Sequence, residues 1–279
     1  TSGVVYPHAI VEIARAYRLR SIGGTSAGAI AAAVAAAAEY RRECSAGKND
    51  FTGYDGIVAI ADEIGRDMAS LFQPAPKLKP LFDILMAASA AGIAGKPMAV
   101  MKAMLAAYRG RALTAAVLGL AVVVVGICRS DVSLAVPGIV AGIVLLVTAM
   151  GLALWRAVKA DLPAHDFGIC PGLTQKGNGK PALTDWLADR IDRVAGNLGP
   201  DGIAGDPLTI GQLADHGIEV ATMTTDLSSG RPYQLPLKSD HHYFSRREFE
   251  ALFPKRVVDY LVRGRAPLAD VGPQLPADL

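Results

Sequence analysis

Two uncharged stretches constrain this chain more than any other feature of its 279 residues. Residues 112–128 carry no Asp, Glu, Lys or Arg, residues 132–155 carry none either, and only Arg129, Ser130 and Asp131 separate them. An α-helix rises about 1.5 Å per residue, so about 20 residues cross the roughly 30 Å hydrocarbon core of a bilayer. The second stretch meets that length, and the first, at 17 residues, stands at the short end of the range. Gly119 and Gly126 in one stretch, facing Gly138, Gly142 and Gly151 in the other, offer the small surfaces on which membrane helices approach closely. Trp155 closes the second stretch where an interfacial aromatic belongs. The expectation is a transmembrane helical hairpin, and the alternative is an apolar hairpin buried in a soluble core. Composition favours the first: 51% of residues are hydrophobic and only 19% charged, with a mean hydropathy of +0.30.

Charge sets the expected orientation. Arg109 and Arg111 precede the hairpin, Arg156 and Lys159 follow it, and the loop offers only Arg129, offset by Asp131. The positive-inside bias puts both flanks in the cytoplasm. A formal net charge of +2 shows neither a nucleic-acid footprint nor an acidic tail. Cys44, Cys128 and Cys170 form no C-x-x-C pair, so neither a disulfide framework nor a zinc site is expected, and a reducing compartment fits best. No signal-peptide pattern, initiator methionine or closing element bounds the chain, so further residues are expected at both ends.

On either side of the hairpin the pattern is globular. Ile10, Ile13, Ala14 and Tyr17 recur at helical spacing; 19–22 reads as a strand and 27–40 as an alanine-rich helix that packs closely on a sheet. Arg41, Arg42 and Glu43 are expected to carry the chain out to solvent. A second amphipathic helix presents Ile57, Ile60, Ile64 and Met68, and the proline-rich residues 74–80 read as a linker. Residues 81–108 read as helical segments at a membrane surface, broken at Gly95-Lys96-Pro97. After the hairpin come a loop over 167–180, a helix over 184–194, a capping box at Thr209–Gln212, a strand over 218–225, a hairpin arm to Leu237 and a capping box at Ser245–Glu248. Three regions follow: 1–80, 81–160 and 161–279.

One motif carries chemistry. Gly24-Thr25-Ser26-Ala27-Gly28 is G-x-S-x-G between the expected strand and helix. There a serine sits on a sharp turn with its hydroxyl lifted clear of the backbone. Gly24 and Gly28 remove Cβ atoms where strand and helix approach. The Ala27 amide, at the helix start, is placed to donate to a developing oxyanion. The other reading is a small-residue turn packing a helix on a sheet. A triad would need a histidine, and none of His165, His216, His241 and His242 sits in a catalytic sequence context.

Residues 24–30, Gly-Thr-Ser-Ala-Gly-Ala-Ile, resemble the nucleophile elbow of patatin-like phospholipases. Residues 3–10 resemble the end of that family's glycine-rich oxyanion loop and the following helix, and residues 224–230 resemble its T-D-L-x-x-G segment. The resemblance implies a patatin-like α/β three-layer sandwich with a mainly parallel sheet, interrupted by the inserted hairpin as in bacterial members. It implies a Ser–Asp dyad with Ser26 as nucleophile, the Gly3 and Ala27 amides as oxyanion donors, and no metal or cofactor. The implied substrate is a membrane lipid ester, at what is expected to be a bacterial inner membrane. Two features depart from the family. No glycine run precedes Gly3, and the family's Asp-Gly-Gly or Asp-Gly-Ala does not follow the T-D-L segment, since Asp-Gly occurs only at Asp55-Gly56 and Asp201-Gly202. Asp226, Asp240, Asp259, Asp270 and Asp278 have no motif support, and the dyad aspartate is expected beyond Leu279. A catalytically inactive membrane scaffold and a soluble serine esterase are the competing readings.

Overall fold

In the computed structural model the described residues are 5–92, 95–128, 135–199, 201–203, 205–227, 229–237 and 243–263. In chain order the elements are α1 (Tyr6–Ala16), β1 (Ser21–Gly24), α2 (Ala27–Cys44), α3 (Thr52–Asp67), α4 (Lys79–Ala90), α5 (Lys96–Ala107), α6 (Arg109–Cys128) and α7 (Ala135–Arg156). They continue as α8 (Leu183–Ala195), α9 (Ile210–Asp215), β2 (Glu219–Asp226), β3 (Arg231–Leu235), α10 (Arg246–Leu252) and α11 (Lys255–Val262). The chain divides into two units, one formed by Thr1–Gln73 with Gly172–Leu279 and the other by Pro74–Pro171.

The first unit holds the sheet, in the order β1-β2-β3. β1 and β2 run parallel with Gly24 opposite Thr222, and β3 returns antiparallel with Leu235 opposite Thr222. This corrects the expected fold. Of the described residues 66% are helical, and the described strands, of 4, 8 and 5 residues, form a small mixed sheet rather than a mainly parallel three-layer sandwich. Ile22 and Val220 turn one face toward Ala36, Leu213 and Ile218. Ser21, Gly23, Glu219 and Met223, on the other face, are exposed. Alternating helix and strand signals imply a covered sheet only if helices reach both faces, and here α2 and α9 cover one.

Most of the core is helix against helix. Val11, Ala14, Val34, Ala37, Ala38, Tyr54, Ile57, Trp186 and Val194 join α1, α2, α3 and α8. The alanines of α2 therefore serve α3 and α8 as much as the sheet: a Cβ on Gly53 would stand 2.9 Å from the Ala38 Cα. Nor does the chain leave for solvent at Arg41. Helix α2 runs on to Cys44, and Arg42 and Glu43 are buried. Arg42 Nη1 and Nη2 donate to the carbonyls of Ala14 and Tyr17 at 2.7 and 3.1 Å, closing the end of α1. The same guanidinium pairs with the fully buried Glu39 carboxylate, which also accepts from the Tyr54 hydroxyl. Burial, then that hydrogen bond to the carboxylate, pushes the Tyr54 phenol up. Such a pair is held by its partners, since removing one leaves the other charge buried alone.

The described elements of the second unit are all helices. Pro80 and Pro97 lie in the first turns of α4 and α5, where a missing N–H costs nothing, so the proline-rich stretches start helices as well as ending them. Leu85, Met86, Met98 and Met101 are exposed on these two helices. Helices α6 and α7 pack together where a Cβ on Gly119 would stand 3.0 Å from the Gly142 Cα. A Cβ on Gly138 would stand 3.1 Å from Val122 and Val123, whereas Gly151, expected in the same contact, faces open space. Among the described residues one helix, Val136–Asp161, is long and apolar enough to cross a membrane, with a mean hydropathy of 2.3 and 17% of its apolar stretch buried. The segment Arg109–Val125 passes that test only together with Lys96–Ala107, from which it is bent by 87°.

Candidate active site

Only Thr25 and Ser26 separate the end of β1 from the start of α2, so the chain must reverse direction within two residues. Ser26 absorbs the reversal with φ 54° and ψ −126°. A side chain at positive φ is uncommon, and this ψ lies outside even the left-handed helical well. This is the strained strand-to-helix turn that a nucleophile elbow requires. The tightness falls on Gly24, where a Cβ would stand 2.2 Å from the Gly28 carbonyl oxygen. A Cβ on Gly28 would meet nothing within 4 Å, so the expected symmetry of the two glycines is corrected: only Gly24 is excluded from bearing a side chain. Ser26 and Ala27 are both exposed. Ala27 is the first residue of an 18-residue helix, so its amide has no partner four residues back and lies at the positive end of the dipole. Gly3, the other expected oxyanion donor, lies outside the described residues.

Among the described residues nothing hydrogen-bonds the Ser26 hydroxyl. His216 follows α9 and touches Cys44 at the far end of α2, Nε2 to Sγ 3.4 Å. Ser26 precedes the near end, and 18 residues at about 1.5 Å each separate the two by about 27 Å. His165 belongs to the second unit, with Nδ1 2.8 Å from the Asp161 carbonyl. His241 and His242 lie outside the described residues, as do Asp240, Asp270 and Asp278. Asp226 ends β2, beyond the same carboxyl edge of the parallel pair as Ser26. There its carboxylate accepts from the Ser229 hydroxyl at 2.6 Å and its carbonyl from the Gly230 amide at 2.8 Å, the bonding of a strand-closing turn. Asp259 is paired with Lys255 and Arg246. Asp55 is exposed in the first turn of α3, and Asp201 accepts from the Ile203 amide. A cavity of about 430 Å³ in the same unit, lined by residues including Glu63, Arg66, Lys180 and Trp186, includes no residue of the elbow.

The chain is similar to the protein named RpoH suppressor of Rhizobium meliloti (strain 1021), with 32% identity over 293 residues. The match covers 94% of this chain and 44% of the relative, so the chain spans less than half the length of the protein it matches. No family model matches the chain, and no solved structure does.

The cluster at the far end of α2 was not legible as a unit. Cys44 and His216 lie 172 residues apart and share no motif. Only the parallel pairing of β1 with β2 brings the start of β2 back to the C-terminal end of α2.

Proposed function

We propose that this chain carries the nucleophile of a membrane-tethered serine acyl hydrolase of patatin-like type, acting on lipid acyl esters. The observation that carries the reading is the backbone of Ser26, a non-glycine residue held at positive φ between a strand and the helix it feeds. Ser26 Oγ gives up its proton and attacks the ester carbonyl, and the Ala27 amide donates to the oxyanion. The ester C–O bond breaks as the alcohol leaves with that proton, and water cleaves the resulting acyl-enzyme to release the fatty acid. The acceptor of the Ser26 proton is in this reading an aspartate outside the described residues.

The second unit supports the tether. Leu113, Val117, Leu120, Val136, Val147 and Leu152 are each more than 60% exposed, the side chains a bilayer would cover. Lys159 lies over the Trp155 ring and Arg111 over the Tyr108 ring, 5.4 Å in each case, near the α7 end and the α6 start that carry the basic flanks. Such cation–aromatic pairs suit an interface, and the positive-inside bias supports a reading in which the Ser26 domain faces the cytoplasm.

Active-site fluorophosphonate labelling of the full-length protein tests the reading. Labelling at Ser26 that is lost in Ser26→Ala is expected, and no labelling at Ser26 in folded protein overturns it. That no described residue hydrogen-bonds the Ser26 hydroxyl favours the second reading, a catalytically inactive membrane scaffold of the same type, for which that negative result is the expected one.

A further inference from the structure

The Cys44–His216 pair stands apart from Ser26 and has a defined arrangement of protons. Nδ1 of His216 lies 2.9 Å from the Gln212 carbonyl oxygen. A carbonyl only accepts, so Nδ1 carries the proton, and Nε2 of the neutral ring keeps a free lone pair. That lone pair faces Cys44 Sγ at 3.4 Å, which makes the thiol the donor. A nucleophile, a base and a group orienting the base therefore stand in line, the arrangement by which a neutral thiol is activated.

The surroundings hold it there. The Tyr40 and His216 rings meet edge-on with centroids 4.9 Å apart. Burial, then the contact with Cys44, pushes the Tyr40 phenol above its ordinary range, so its hydroxyl stays a protonated neighbour of the sulfur. Arg20 Nη1 donates to the His216 carbonyl at 3.0 Å, and its Nη2 joins Lys48 in occupying the Glu43 carboxylate. Cys44 itself is exposed.

We infer that Cys44 is an oxidative modification site whose co-reactant is a hydroperoxide. As His216 Nε2 takes the thiol proton, Sγ attacks one peroxide oxygen; the S–O bond forms and the O–O bond breaks. The proton passes to the leaving oxygen, which departs as water or an alcohol. Sulfur gives up two electrons to the peroxide and becomes a sulfenic acid. The reaction needs only a nucleophile and a proton for the leaving group, and the pair supplies both. Cys170 provides an internal contrast, since its partial burial pushes its thiol up.

The test treats the full-length protein with less than one equivalent of hydrogen peroxide, traps sulfenic acid with dimedone and maps the adducts by mass spectrometry. Cys44 is expected to react about tenfold faster in the folded chain than in the urea-unfolded chain, a modest share of what a positioned base supplies. His216→Gln is expected to remove that advantage, and Cys170 to lag behind Cys44. A folded rate no higher than the unfolded one overturns the inference, as does an unchanged rate in a His216→Gln chain with native circular dichroism. If that variant does not fold, the folded-against-unfolded comparison decides alone. Ser26→Ala leaves the outcome unchanged, so this test and the acyl hydrolase test fail independently.

Discussion

At the scale of single residues, the elbow is a local strain with a local consequence. A side chain at the Ser26 backbone angles costs on the order of 1–3 kcal/mol, against about 0.5–1 kcal/mol for the extra unfolded-state freedom of glycine. Ser26→Gly is therefore expected to be about 1 kcal/mol more stable than Ser26→Ala, read as the difference in unfolding midpoints, while both lose fluorophosphonate labelling. The two flanking glycines separate in the opposite sense to their motif symmetry. Gly24→Ala drives a methyl into the Gly28 carbonyl and is expected to cost about 3 kcal/mol, whereas Gly28→Ala, with open space around it in a helix, gains up to about 1 kcal/mol. Thermal melts of the two variants check this. Asp50 provides a pH-dependent residue in the same unit. Hydrogen bonds from the Thr52 hydroxyl and amide, with Arg41 beside it, lower its carboxyl from the ordinary value to about 2. A depressed folded pKa stabilises above the unfolded value of about 4 and loses that contribution as pH falls through 2. Asp50→Asn is expected to cost about 1 kcal/mol at pH 7 and nearly nothing at pH 2, measured by denaturant unfolding at both.

Between elements, the decisive contacts are those where small residues let backbones meet. The α6–α7 contact at Gly119 and Gly142 is of this kind, and Gly151 shows that not every glycine in the stripe takes part. Gly119→Ile is expected to lower the melting temperature in detergent by about 5 °C, the effect of about 2 kcal/mol of overpacking, while Gly151→Ile leaves it unchanged. Equal shifts in the two variants would sink the assignment of the contact. The strands, helices and caps of the first unit were legible in their local patterns. The Thr209–Gln212 capping box forms with both of its bonds, and Ser245 accepts from the Glu248 amide. The fate of Arg42 and Glu43 was not legible, because a charged pair at a helix end reads as solvated unless its partners, the α1 carbonyls and Arg20 and Lys48, are known to lie opposite.

For the whole molecule, the membrane reading makes a prediction of its own. The 26-residue span and the exposed apolar faces of α6 and α7 are expected to keep the full-length protein in the pellet through carbonate extraction, and release into the supernatant would return α6 and α7 to the soluble alternative. Sequence by itself determined what depends on near neighbours along the chain: the apolar lengths of the hairpin, the strand-turn-helix around Ser26, and the caps. Periodicity and composition report the forces that act within a few residues. Tertiary structure alone decided the sheet, because a strand pattern states which side chains face inward but not how many strands pair or which face a helix covers. It also decided that Gly24 rather than Gly28 is the tight position, and that His216 belongs with Cys44 and not with Ser26. The sheet and the His216–Cys44 contact are set by distances through space between residues far apart in sequence, and the Gly24 contact by the backbone angles of the turn, which the spacing of the motif does not carry.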